Sequence, residues 1–153
     1  MTHPVTENSI LDRWAHLIVE VVDAEADPVT IAEWARHTHM GASTLREVCR
    51  AAGVRGKRSL DLARVLRAVV QLQGHPWVPE AVLSCRDPRT LRALLSRTGC
   101  AAGDDPPTPN EFLVRQSVLP RNGFHLLALR QALARNPSEN SGTSCLDTHN
   151  SPD

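Results

Sequence analysis

Apolar positions along this chain recur at three-to-four spacing, and no segment alternates convincingly between apolar and polar. Ile10, Leu11, Trp14, Leu17, Ile18, Val21 and Val22 form the first stripe, which predicts an amphipathic helix ended by Asp27-Pro28. Thr30-Ile31-Ala32-Glu33 has the form of a capping box and predicts a short helix to about His37. After Gly41, the positions Leu45, Val48 and Cys49 mark another helix with Gly53 as its stop. Leu62, Val65, Leu66, Val69 and Leu72 predict a longer one from about Ser59 to Leu72, closed by Gly74, His75 and Pro76. A short helix is expected near Val78–Leu83. A firmer one opens at Asp87-Pro88, carries Leu91, Leu94 and Leu95 inward, and stops at Gly99. Residues 100–107 read as loop, and Thr108-Pro109-Asn110-Glu111 is a second capping box opening a helix with Phe112 and Leu113. A last helix is expected over about Phe124–Arg135, with a disordered tail after Asn136. The predicted class is all-α.

Superimposed on this pattern is a self-similarity at an offset of 46 residues. Ala35 pairs with Ala81, Thr44-Leu45-Arg46 with Thr90-Leu91-Arg92, Val48 and Cys49 with Leu94 and Leu95, and Gly53 with Gly99. Each copy reads as a short helix, a tight break and a longer helix, the outline of a helix-turn-helix. Ala35 and Ala81 are expected where the two helices of each copy cross closely.

Charge changes the picture once it is resolved along the chain. The 153 residues carry 17 basic and 17 acidic side chains, a net charge of zero that taken alone argues against a nucleic-acid partner. By segment, residues 1–28 sum to −5, residues 29–103 to +7 and residues 104–153 to −2. The basic block holds both copies of the repeat. The acidic ends are expected to weaken nonspecific attraction to DNA, an effect that removing residues 117–153 would expose.

Other chemistries find little support. The chain lacks an apolar run of about 18 residues and shows no secretory signal pattern, so a cytoplasmic protein is expected. Cys49, Cys85, Cys100 and Cys145 form no C-x-x-C pair, and Cys49 and Cys85 read as small buried apolar residues. Cys145 and His149 alone do not close a zinc site. His37 and His39 read as surface or turn residues. No Ser/His/Asp arrangement, Gly-rich phosphate loop or H-E-x-x-H motif is present, so neither an enzyme nor a cofactor or metal is expected.

A helix-turn-helix presents the first part of its second helix to base edges in the major groove. The outward positions of that helix are Ser43, Thr44, Arg46, Glu47 and Arg50 in the first copy, and Arg89, Thr90, Arg92 and Ala93 in the second. Arg46 and Arg92 suit bidentate contacts to guanine, and Glu47 suits either a cytosine amino group or an ion pair with Arg50. Arg50, Arg55, Lys57 and Arg58, with the helix N-termini, suit phosphates.

These residues resemble the DNA-binding region of the AraC/XylS family of bacterial transcription regulators over roughly residues 10–115. Asp27-Pro28-Val29-Thr30-Ile31 is similar to the family's D-P-x-T-L entry. Gly53-Val54, Leu60 and Arg64-Val65 follow its G-V-S-P-x-x-Y-L-x-x-x-R-L order, Ala68 and Leu72 continue its linker helix, and Thr108-Pro109-Asn110-Glu111-Phe112 resembles its closing S-P-x-x-Y/F. The resemblance implies two helix-turn-helix subdomains joined by a rigid linker helix, reading successive major-groove segments ~34 Å apart. Its base-contact positions map onto Ser43, Arg46, Glu47, Arg89, Thr90, Arg92 and Ala93.

The implied organisation is a tail at 1–9, a DNA-binding domain at 10–116 and an extension at 117–153. Within the domain the first motif covers about 29–53, the linker helix 57–73, the second motif 77–99 and a closing helix 108–116. Departures from the family pattern are His39 at the turn glycine followed by Met40, Ser59 at an aromatic position and Gly56 at a proline. In the second motif Pro79 lies inside the first helix, Ser84-Cys85 replaces G-F, and an insertion follows Gly99. They place most of the specificity in the first half. The expected function is sequence-specific transcription regulation, with double-stranded DNA and RNA polymerase as partners and a monomer or weak homodimer as the assembly. The alternative is a helical protein-interaction module that has lost DNA binding. The last helix is expected either to form a dimer contact or to pack back on the domain.

Overall fold

Pro4 opens the first helix, where its fixed φ and missing N–H cost nothing. That start lies ahead of the expected Ile10, so much of the predicted tail is helix. The computed structural model describes residues 4–100, 105–117, 119–120 and 123–135. Among these residues it is all-α: α1 (Pro4–Val22), α2 (Ile31–His37), α3 (Ala42–Ala51), α4 (Gly56–Gln71), a 3-10 turn (Pro79–Ala81), α5 (Pro88–Arg97), α6 (Pro109–Val114) and α7 (Phe124–Ala134). Residues beyond Arg135, including Cys145 and His149, lie outside the described residues.

One hydrophobic core unites the helices, and α4 is its centre. Every residue from Ser59 to Val69 is buried. A helix buried all round needs neighbours all round, and α4 contacts α1, α2, α3, α5 and α6. The expected linker helix is therefore also the core of the molecule, and its first turn begins at Gly56 rather than near Ser59. Trp14, Ile18 and Val21 of α1, Trp34 of α2, Leu45 of α3, Leu94 and Leu95 of α5 and Phe112 of α6 close around it.

The last helix settles onto the domain. It lies along α1 and touches α6, burying His125, Ala128 and Leu129. Arg130 Nε donates to Asn110 Oδ1 at 2.6 Å. Of the two roles expected for this segment, packing back is the one observed. It also makes removal of residues 117–153 unsuitable as a test of the acidic tail, because that cut deletes part of the core.

The threonine half of each capping box forms. Thr30 and Thr108 accept from the Glu33 and Glu111 amides, and the Glu33 carboxylate reaches back to the Val29 N–H at 2.7 Å. Asp27-Pro28 does not end α1, which stops at Val22. Asp27 is instead buried in the connection to α2.

Candidate nucleic-acid interface

The 46-residue offset places α3 on α5 to the residue, 42–51 against 88–97. Their ends match as well. Gly53 and Gly99 take left-handed φ of 84° and 72°. After each, the next amide reaches back five residues, Val54 N–H to the Cys49 carbonyl and Cys100 N–H to that of Leu95. This is the Schellman closure that only a glycine accepts without strain.

The helices preceding them do not match. α2 has two turns, buries Trp34 and Ala35, and ends on a second closure in which Met40 N–H bonds the Ala35 carbonyl. His39 is the left-handed residue there, at φ 57°, and the only non-glycine with positive φ among the described residues. This is the position where the resembled family has glycine. Replacing His39 by Gly is expected to be neutral or to stabilise by up to ~1 kcal/mol, as relief of left-handed strain offsets added chain entropy. A β-branched Val should cost ~1–2 kcal/mol. Urea unfolding of the two variants checks the pair.

The counterpart of α2 shrinks to the 3-10 turn. Pro79 keeps Val78 out of the helical conformation (φ −122°, ψ 75°), as expected for a residue before proline. Glu80 stands where Trp34 stands, so the turn has little apolar surface to bury. Ala81 is exposed, which corrects its expected place in a helix crossing; Ala35 alone fills that role. Leu91 is half-buried where Leu45 is fully buried.

All twelve predicted contact residues are exposed: Ser43, Thr44, Arg46, Glu47 and Arg50 on α3, Arg55, Lys57 and Arg58 at the start of α4, and Arg89, Thr90, Arg92 and Ala93 on α5. The first eight lie on α3 and at the adjoining start of α4. An added Cβ at Gly56, the first residue of α4, would lie 3.6 Å from Arg46 Cγ and 3.3 Å from Ile31 Cδ1. The Arg46 stem thus runs beside the α4 N-terminus. Glu47 and Arg50 form the anticipated ion pair at 3.0 Å. At side-chain exposures of 64% and 78%, water screens it enough for either partner to be drawn away by a stronger one.

Helix ends distinguish this surface from the starts of α2, α5 and α6, whereas α7 is likewise uncapped with no acid in its first turn. α2 and α6 have a Thr cap and a Glu in the first turn. α3 and α4 have neither a side-chain cap nor an acid in the first turn, so their N–H groups and positive dipole ends face outward uncompensated. Their N-caps, Gly41 and Arg55, carry no carboxylate. α5 differs, because the Asp87 carboxylate caps it by accepting from Arg89 N–H. The missing acidic cap was legible in the sequence as the absence of Asp or Glu around Gly41 and Arg55.

Behind the surface, several groups brace the α3–α4 turn. His125 Nε2 donates to the carbonyl of Ala52, the C-cap of α3. Its ring meets Trp14 edge-on at 5.4 Å. Trp14 Nε1 donates to Ser59 Oγ, which donates to the Val54 carbonyl, both at 3.0 Å. Burial pushes the nearby Cys49 thiol up, against a smaller opposing effect of its hydrogen bond with Ser59. Cys49 and Cys100 are buried, whereas Cys85 is only half-buried, a partial departure from its expected place.

Two of the twelve cations in the basic block are not surface charges. Arg64 Nε and Nη2 donate to the Asp27 carboxylate at 2.8 and 2.7 Å, with side-chain exposures of 7% and 1%. Asp27 also accepts from Ser84 N–H at 2.8 Å. Arg67 donates to the carbonyls of Ala24, Glu25 and Val82. Burial opposes the Arg64 charge, yet the bonds and charge of Asp27 outweigh it and its pKa rises. Burial lowers that of Arg67, with the Asp27 charge opposing. These two arginines of α4 join the loop before α2 to the segment before α5.

No helix of the described residues is long and apolar enough to cross a membrane, and no group of three or more metal-ligating side chains occurs among them. No protein-family model, curated protein or solved structure matches the chain.

Proposed function

We propose that this chain is a sequence-specific DNA-binding transcriptional regulator of AraC/XylS type. In this reading α2 and α3 form the first helix-turn-helix and α3 enters the major groove. The observation that carries the reading is the surface where Arg46 lies against the uncapped start of α4. It combines a side chain suited to guanine with helix N-termini and the phosphate-binding set Arg50, Arg55, Lys57 and Arg58. Ser43, Thr44 and Glu47 complete the base-reading face. α5 presents Arg89, Thr90, Arg92 and Ala93 as a second, weaker reader, because Asp87 offsets its dipole and its supporting helix is a single 3-10 turn.

That reduced second copy favours the rival reading, a helical protein-interaction module without DNA binding. Binding to random double-stranded fragments across a salt series separates the two. Four phosphate contacts predict a slope of log K against log salt of about −3.6. Absence of binding at low salt overturns the regulator. On a selected site, Arg46→Ala is expected to lose ~1–3 kcal/mol and to relax base preference at one position. A uniform loss on all sequences would make Arg46 a phosphate contact.

A further inference from the structure

Beside α3 the helix α2 fills the groove; beside α5 only the 3-10 turn does. A cleft of about 420 Å³ remains there, within the size range of small-molecule sites. Its floor is apolar, formed by Trp77, Pro79, Leu91 and the fully buried Leu95. Arg86 and Arg92 stand at its rim, both exposed and neither paired with a carboxylate among the described residues. Glu80 is the one acid of the lining, so the cleft is net positive by one charge. A half-buried indole favours a flat π-system, and a guanidinium favours a carboxylate bound through two parallel hydrogen bonds. Arg92 is also the strongest candidate for a base contact on α5.

We propose that this cleft binds a small planar aromatic monocarboxylate, and that the bound carboxylate engages Arg92 and so competes with DNA at α5. The competition rests on the regulator reading above; the binding site does not. The ligand lies with its ring against Trp77 and its carboxylate between Arg86 and Arg92. The second copy of the duplication has then exchanged a supporting helix for an effector site, and the effector acts directly on the reading helix.

Tryptophan fluorescence tests the site, since Trp14 and Trp34 are fully buried and Trp77 is the third of three. The full chain is titrated with 1-naphthoate, with 1-naphthalenemethanol and with 1-naphthylmethylamine. Saturable quenching by naphthoate, at least about tenfold weaker binding of the alcohol, and still weaker binding of the amine are expected. Trp77→Phe should abolish the quenching, and Arg92→Gln, a surface change, should weaken naphthoate by about tenfold. No saturable quenching, equal binding of the alcohol, or quenching retained in Trp77→Phe overturns the site. Saturating naphthoate should also lower the affinity for a two-half site several-fold and leave a first-half site unchanged. Binding of naphthoate with no effect on the two-half site overturns the competition. Naphthoate binding by a chain that binds no DNA supports the cleft and sinks the regulator reading.

Discussion

Replacing Asp27 by alanine is expected to remove about 3–5 kcal/mol of folding stability and to lower Tm by ~10–20 °C. The physical reason is asymmetry. The Asp27–Arg64 pair is almost wholly buried, so the intact pair offsets its own desolvation, whereas a lone Arg64 guanidinium is left charged without its counter-ion. Asp27 also satisfies the Ser84 amide, which would lose its partner. The double variant Asp27→Leu with Arg64→Met should recover a large part of the loss, because it removes both charges together. Chemical denaturation of the single and double variants decides this. A single-variant cost below ~1 kcal/mol, the range of an exposed ion pair, would show that the network is solvated in solution.

The second large effect concerns α7. Leu129 has no exposed surface and packs in the layer between α7 and α1. Leu129→Ala should cost ~2–5 kcal/mol, the lost transfer energy plus the cavity left behind. If α7 were a dimer element instead, the same change would alter association and barely touch the stability of the monomer. Urea unfolding with sedimentation of the variant distinguishes the two. The bond from His125 to Ala52 predicts a further consequence: loss of α7 loosens the turn that carries Arg55, Lys57 and Arg58. A test of the acidic tail therefore belongs after Arg135, where Glu139, Asp147 and Asp153 are the only charges. If the tail weakens nonspecific binding, that cut raises it; unchanged affinity would remove the tail from the account.

Much of this architecture was legible in the sequence because it is local. Capping boxes, Asp-Pro starts and glycine stops act within one turn of chain, and Thr30, Asp87, Thr108, Gly53 and Gly99 stand where those rules put them. The 46-residue repeat carried through to the boundaries of α3 and α5, since both copies keep the apolar spacing and the closing glycine. Exposure of the twelve contact residues followed from the same periodicity: what lies opposite the buried stripe faces water.

The rest depended on contacts between distant segments. Arg64 and Arg67 add to the +7 of the basic block in any count along the chain, but 37 residues separate Asp27 from Arg64 and only the folded chain joins them. The apolar stripe of α4 does not reveal that its polar side is also buried; that follows from how many helices surround it. The capacity of the second copy to lose a helix was visible in Pro79, yet the cleft that results depends on what packs nearby and what does not. The sequence by itself determined the all-α class, most of the helical segments, the ends marked by a cap or a closing glycine, and the outward faces of α3 and α5, because helix propensity, capping and periodicity are near-neighbour effects. Tertiary structure alone decided which charges became internal struts, which helix became the core, and which cations, Arg46 beside Gly56 above all, converge on one surface. Desolvation and side-chain proximity are properties of the packed whole.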